Sequence, residues 1–203
     1  DNSITYCCCT GRRGNGTMMN IIYAGYVALE ATHNIIIKEK PALKCRFSNR
    51  FLSLTDEMTG REMLTRDSII EVIKKSCFDV NDECIVEISD TGIFGTLWEM
   101  AERFDTGLSI DLNKISIRQE TVEICEWADV NPYTYPSKGS FIIRTENAYE
   151  LSDILASNGI MSSVIGYETN DKKRIIVNQD EIRYLTPIDR LLNDEKGHNN
   201  LRY

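Results

Sequence analysis

The chain has 203 residues, 42% of them hydrophobic and 27% charged, a globular balance that excludes disorder and fibrous repeats. That length can bury one sizeable core without disulfides or metals. A net charge of -8 and a pI near 4.9 argue against nucleic acid as a partner, because an acidic surface repels phosphate backbones.

Residues 1–17 hold glycines, arginines and the triplet Cys7-Cys8-Cys9 with no apolar period, and read as a loop or mobile arm. Met18 to Ala24 is an apolar run closed by Gly25, which fits a buried strand. Tyr26 to Lys38 follows as a helix with Val27, Ala28, Ile35 and Ile36 on one face, and Pro41 is expected to stop it. Pro41 to Met63 reads as one or two short helices broken by Gly60. Thr65 or Asp67 can cap a helix through Lys74-Lys75.

Cys84 to Ile88 is a strand, Ser89 to Gly92 a turn, and Ile93 to Arg103 a helix. Leu108 to Leu112 alternates as a half-buried strand, and Arg118 to Ala128 is an amphipathic helix. Asn131 to Gly139 is a long loop, Ser140 to Arg144 a strand and Asn147 to Asn158 a helix, with Gly159 suited to the left-handed position past its end. Met161 to Tyr167 and Arg174 to Val177 are strands, and a turn at Asn178-Gln179-Asp180 leads into Ile182 to Leu185. Pro187 opens a last short helix.

This order predicts an α+β fold, an α/β sandwich with a mixed β-sheet packed against helices. Residues 18–192 are expected to form one domain, between the arm at 1–17 and a polar tail at 193–203. No run approaches the ~18 apolar residues that span a bilayer. The start of the chain also lacks a secretory apolar core, so the expected location is the cytoplasm, with no membrane contact.

The seven cysteines are odd in number and irregular in spacing, so no disulfide framework is expected. Cys77, Cys84 and Cys125 read as small buried hydrophobes, and no metal site is assigned. With only His33 and His198 available, a histidine-activated nucleophile is not supported. His33 reads as a helix-packing or polar-face residue. Glu120, Glu123 and Glu126 read as a solvated helix face.

The stretch Glu87 to Met100 is a strand, a tight polar turn and a helix start. Unpaired N–H groups and the positive end of the helix dipole favour an anion there, typically phosphate. Gly92 would let a ligand approach the backbone. The same pattern also fits a plain helix start with Ser89 or Asp90 as its N-cap.

Several motifs resemble the C-terminal domain of the aminoimidazole ribonucleotide synthetase superfamily, in its hydrogenase-maturation-factor-like branch. They are Ala24 to Thr32, Ile93-Phe94-Gly95, Leu97-Trp98-Glu99, Arg118 to Glu126, Asn131-Pro132-Tyr133 and Ser137-Lys138-Gly139-Ser140. The resemblance covers residues 18–186. It implies that Ser89, Asp90, Gly92, Gly95, Ser137, Gly139 and Ser140 line the phosphate or substrate side of a cleft.

It also implies an N-terminal domain, not expected among residues before Met18, that completes the cleft and supplies the acidic residues holding magnesium and ATP. Those cofactors, and a complete active site, are therefore expected only with that domain present. The implied partners are a second copy in a homodimer or a separate chain carrying the N-terminal domain. Glu87, Ser89 and Thr91 depart from the Asp, Thr and first Gly of the family loop, and Ala31 replaces a helix glycine. A β-branched Thr91 cannot readily take a positive φ, so a stiffer or differently shaped loop is expected. These departures motivate an alternative, a non-catalytic dimerising or scaffold domain with a degenerate phosphate loop.

Overall fold

The computed structural model describes residues 18–76, 78 and 80–188. The arm at 1–17, the tail at 193–203, Cys77 and the helix expected beyond Pro187 lie outside that set, apart from Pro187 and Ile188, which are not helical.

The first strand, β1 (Asn20–Ala24), leads to α1 (Leu29–Leu43). The helix begins three residues later than its apolar pattern suggested. Ala28 stands before it at φ 55, and its N–H is taken by the Ser137 hydroxyl. Pro41 does not stop α1, which runs on to Leu43. The carbonyl that proline leaves without a partner belongs to Ile37, which is exposed, so water can take that bond.

The next helix, α2 (Asn49–Glu62), passes through Gly60 without a break and buries Leu52, Thr55 and Thr59. A glycine costs a helix only about 1 kcal/mol, and the packed face outweighs it. The third, α3 (Arg66–Lys75), starts at a capping box: the Thr65 side chain accepts from the Ser68 N–H while the Ser68 side chain binds back.

The remaining elements are β2 (Ile85–Glu87), α4 (Gly92–Arg103), β3 (Gly107–Asp111), α5 (Gln119–Trp127), β4 (Phe141–Thr145) and α6 (Ala148–Ser157). The chain then forms β5 (Ser162–Thr169), β6 (Arg174–Asn178) and β7 (Glu181–Tyr184). Gly159 takes φ +79 past α6, as its position suggested. The turn between β6 and β7 holds Gln179 at φ 54.

All seven strands form one sheet in the order β2-β4-β1-β5-β3-β6-β7. Five of its six pairings are antiparallel, and β3 with β6 is parallel, so the expected mixed α+β sheet is what forms. Strand β1 divides the core by alternation. Ile21 and Tyr23 face one cluster with Leu97, Met100, Ile110 and Ile176. Ile22 and Ala24 face the other, with Ile69, Ile73, Leu151 and Leu155 from α3 and α6. A smaller cluster, Ile36, Leu43, Leu52 and Ile124, joins α1, α2 and α5. His33 Nδ1 and Asp56 Oδ1 meet at 2.7 Å across α1 and α2, which gives that histidine a helix-packing role. Among the described residues no helix is long and apolar enough to cross a membrane.

Candidate functional site

Strand β2 ends at Glu87, and the chain turns through Ser89 and Asp90 into α4. A ring of hydroxyls holds this turn. Ser89 Oγ lies 2.7 Å from Thr91 Oγ1 and 3.2 Å from Thr96 Oγ1, and Thr96 Oγ1 donates to the Gly92 carbonyl at 2.9 Å. The Ser89 N–H donates to Thr96 Oγ1 at 3.0 Å. No side chain caps α4, so neither Ser89 nor Asp90 acts as the cap that the sequence also allowed. Asp90 is exposed.

Thr91 keeps φ -85, and the positive φ falls on Gly92 at +69. The residue after the family's first glycine position thus carries the left-handed turn. The Thr91 side chain folds over Gly95, where an added Cβ would come 2.1 Å from Thr91 Oγ1. The close approach that Gly92 permits is taken by the chain itself. A Cβ there would lie 2.6 Å from the Tyr133 carbonyl oxygen and 2.8 Å from the Tyr135 nitrogen. Phe94 and Tyr133 stack with ring centroids 5.3 Å apart and hold the loop on the helix start.

The same loop continues into the Ser137–Ser140 turn, so the structure brings both predicted segments together through Glu87. The Gly139 N–H donates to Glu87 Oε1 at 3.2 Å, and the Ile88 N–H donates to the Ser140 carbonyl at 3.0 Å. Ser140 Oγ donates to the Ser137 carbonyl at 2.7 Å. Gly139, at φ +80, has the Met63 side chain against it, and its carbonyl accepts from the Leu64 N–H at 2.8 Å. Lys138 is exposed and its N–H donates to Glu30 Oε2 at 3.2 Å.

Beneath this turn lies Tyr23, fully buried. Its hydroxyl sits near Ser137 and Ser140 but makes no hydrogen bond of ordinary geometry. Burial pushes the phenol well above its usual range, so it stays protonated.

Beside the turn an open cleft of about 370 Å³ is lined by Gly25, Tyr26, Arg61, Glu62, Arg118 and Met161, among others. Arg118 Nε donates to Glu62 Oε2 at 2.8 Å, and a second guanidinium nitrogen meets Glu62 Oε1. The guanidinium also lies 4.2 Å from the Tyr26 ring centroid. These bonds to Glu62 hold Arg118 above even the usual arginine range. Gly25 joins the cleft to the turn, since its Cβ position would lie 3.0 Å from Ser140 Cβ.

Sequence reasoning missed Tyr26, Glu62 and Arg118 as site residues. Glu62 and Arg118 sit far apart in the chain, and only the packing of α2 beside the start of α5 unites them. A stacked, forked arginine can hold a planar anion, but here one fork is already filled by Glu62.

Among the described residues no group of three or more His, Cys, Asp or Glu could hold a metal ion. Glu123 hydrogen-bonds Gln119 at 3.1 Å along α5. Cys84, expected as a plain buried hydrophobe, is disulfide-bonded. Cys125 is buried and free, and burial pushes its thiol up to about 12. Cys45 is exposed and free.

No family model matches the chain. A hydrogenase expression/formation protein of Methanocaldococcus jannaschii is 31% identical over 90 residues, 42% of this chain and 27% of that protein. The fold is similar to that of E. coli HypE, a hydrogenase maturation protein, with a TM-score of 0.64, 14% identity and coverage of 88% of this chain and 52% of that one. HypE in complex with ATP gives 0.62 at 13% identity, covering 90% of this chain and 54% of that one. Thiamine monophosphate kinase from Aquifex aeolicus gives 0.52 at 13%, with 80% and 50% covered. At such identities the likeness is one of fold, and there the resemblance read from the motifs is borne out. The chain spans about half the length of these solved structures and 27% of the M. jannaschii relative.

Proposed function

We propose that this chain, which has the fold found in HypE and thiamine monophosphate kinase, is the C-terminal half of an ATP-dependent hydrogenase maturation factor. The domain of that half takes up residues 18–192 of this chain, and the protein works in the cytoplasm. Ser89, Asp90, Gly92, Gly95, Ser137, Gly139 and Ser140 line one side of a nucleotide or substrate cleft. An N-terminal domain, on the same longer protein or on a separate chain, completes it and brings the acidic groups for magnesium. The supporting observation is the fold match over nine-tenths of this chain to about half of a HypE in complex with ATP.

The local fit is partial. The start of α4 has N–H groups without a side-chain cap, which suits phosphate. Lys138 is exposed in the neighbouring turn, but its ammonium lies 3.8 Å from Glu30 Oε1, so its charge is already partly answered. Access, however, requires the loop at Tyr133–Tyr135 to lift from Gly92.

Titration calorimetry with Mg-ATP tests this reading, using the chain combined with a HypE-type N-terminal domain. Heat that is absent from either half alone supports it. No heat from the combined halves refutes it.

A second reading is a non-catalytic dimerising or scaffold domain. It is favoured by the filled helix start, where Thr91 covers Gly95 and the loop covers Gly92. It predicts no nucleotide affinity in any combination. Thr91→Gly, which clears the space above Gly95, would then create binding that the natural sequence lacks.

A further inference from the structure

Strand β7 lies at one edge of the sheet, and all four of its residues are exposed. Two of them are large and apolar: Ile182 is 63% exposed and Tyr184 68%. An open edge carrying such residues is a template for another strand unless something blunts it.

The backbone direction follows from the ladder. The Leu185 N–H donates to the Arg174 carbonyl on the β6 side at 2.8 Å. Hydrogen-bonding direction alternates along an antiparallel strand, so Glu181 and Arg183 also turn their backbone groups toward β6. Ile182 and Tyr184 turn theirs outward, to the open edge.

The side chains alternate as well. Arg183 is paired with the core residue Ile176, while Ile182 stands opposite Val177 and Tyr184 opposite Ile175 on the other face. On that other face no residue of β3, β6 or β7 joins the core formed with α3 and α6. Among the described residues, no helix packs over this part of the sheet.

We propose that β7 pairs antiparallel with β7 of a second copy, centred on Ile182, so that the sheet continues across two molecules. The charge order argues for a second copy over any other strand. In this register Glu181 faces Arg183 of the second copy, and Arg183 faces its Glu181. The two charges already meet at 2.8 Å within one strand, so the pairing closes a four-charge network. Ile182 exchanges both outward backbone bonds with its copy, and the two side chains pack on the uncovered face. A register centred on Arg183 would instead set arginine against arginine. The inference does not depend on nucleotide binding.

Sedimentation equilibrium over a wide range of concentration tests it, with circular dichroism to check folding. The natural chain associates to a dimer. Arg183→Glu places like charges opposite each other and weakens association about tenfold or more. The exchange Glu181→Arg with Arg183→Glu restores complementarity and the dimer. Ile182→Pro removes the central N–H and leaves a folded monomer. A natural chain that stays monomeric throughout, as a merely blunted edge would, overturns the proposal. So does a dimer that none of these changes weakens.

Discussion

Three glycines in this protein separate the two costs of adding a methyl group, and Gly92 carries both. Gly60 sits inside α2 with nothing within 4 Å of an added Cβ. Gly60→Ala therefore gains only helix propensity and should stabilise by about 0.5–1 kcal/mol. Gly159 also has open space but stands at φ +79, so Gly159→Ala isolates the left-handed penalty of about 1–2 kcal/mol. Gly92 combines φ +69 with backbone atoms of residues 133–135 at 2.6 to 2.8 Å. The obstacle is backbone, which cannot rotate away as a side chain would. Overpacking adds about 1–3 kcal/mol, so Gly92→Ala should cost about 2–5 kcal/mol. Urea denaturation of the three variants, with m-values compared, measures the series. If Gly92→Ala costs no more than Gly159→Ala, the loop does not rest on the start of α4, and the filled-site argument fails.

The Arg144–Glu168 pair is nearly buried, with side-chain exposures of 10% and 7%, and its guanidinium lies 4.2 Å from the Phe104 ring centroid. Glu168→Ala strands a buried charge and should cost about 3–5 kcal/mol, whereas Arg144→Met with Glu168→Leu should be near neutral in the same denaturation assay. Alkaline pH should destabilise the fold, because Tyr23 and Cys125 are both raised by burial. Stability is fully present below the ordinary thiol range, then falls as the unfolded chain ionises first. Cys125→Val should make that fall shallower above about pH 9, read from pH-dependent melting. Peptide mapping after brief alkylation should find Cys45 modified and Cys125 protected until denaturant is added, since one is exposed and the other buried.

Much of the local structure was legible in the sequence because it is set by neighbours in the chain. The apolar run before Gly25, the Thr65 cap, the left-handed Gly159 and the turn at Gln179 each follow from residues a few positions apart. Pro41 and Gly60 misled for the opposite reason. Their local preferences are weak beside the packing of α1 on α2, which short-range pattern does not report.

Strand order was not legible either. Nothing in the alternation of Leu108 to Leu112 says that β3 will slip between β5 and β6 and run parallel to the latter. For the site, the motifs pointed to Ser89–Gly95 and Ser137–Ser140, and the fold brings these segments into contact through Glu87. That the loop after Asn131 would fill the space at Gly92, and that Arg118 would lock onto Glu62, depend on distant segments meeting.

The position of β1 bears on how the molecule assembles. It is the first of the described strands, yet it lies between β4 and β5, with Asn20 beside Thr145 on one flank and Tyr167 on the other. During synthesis this greasy segment, with Ile21, Ile22 and Tyr23, must wait until the chain has been made past Phe141 for its β4 neighbour and past Ser162 for its β5 neighbour. Such distant pairing slows folding and leaves an unsatisfied strand open to wrong encounters. A chaperone that grips the nascent chain near Ile22 would shield the segment whose misplacement would do the most damage.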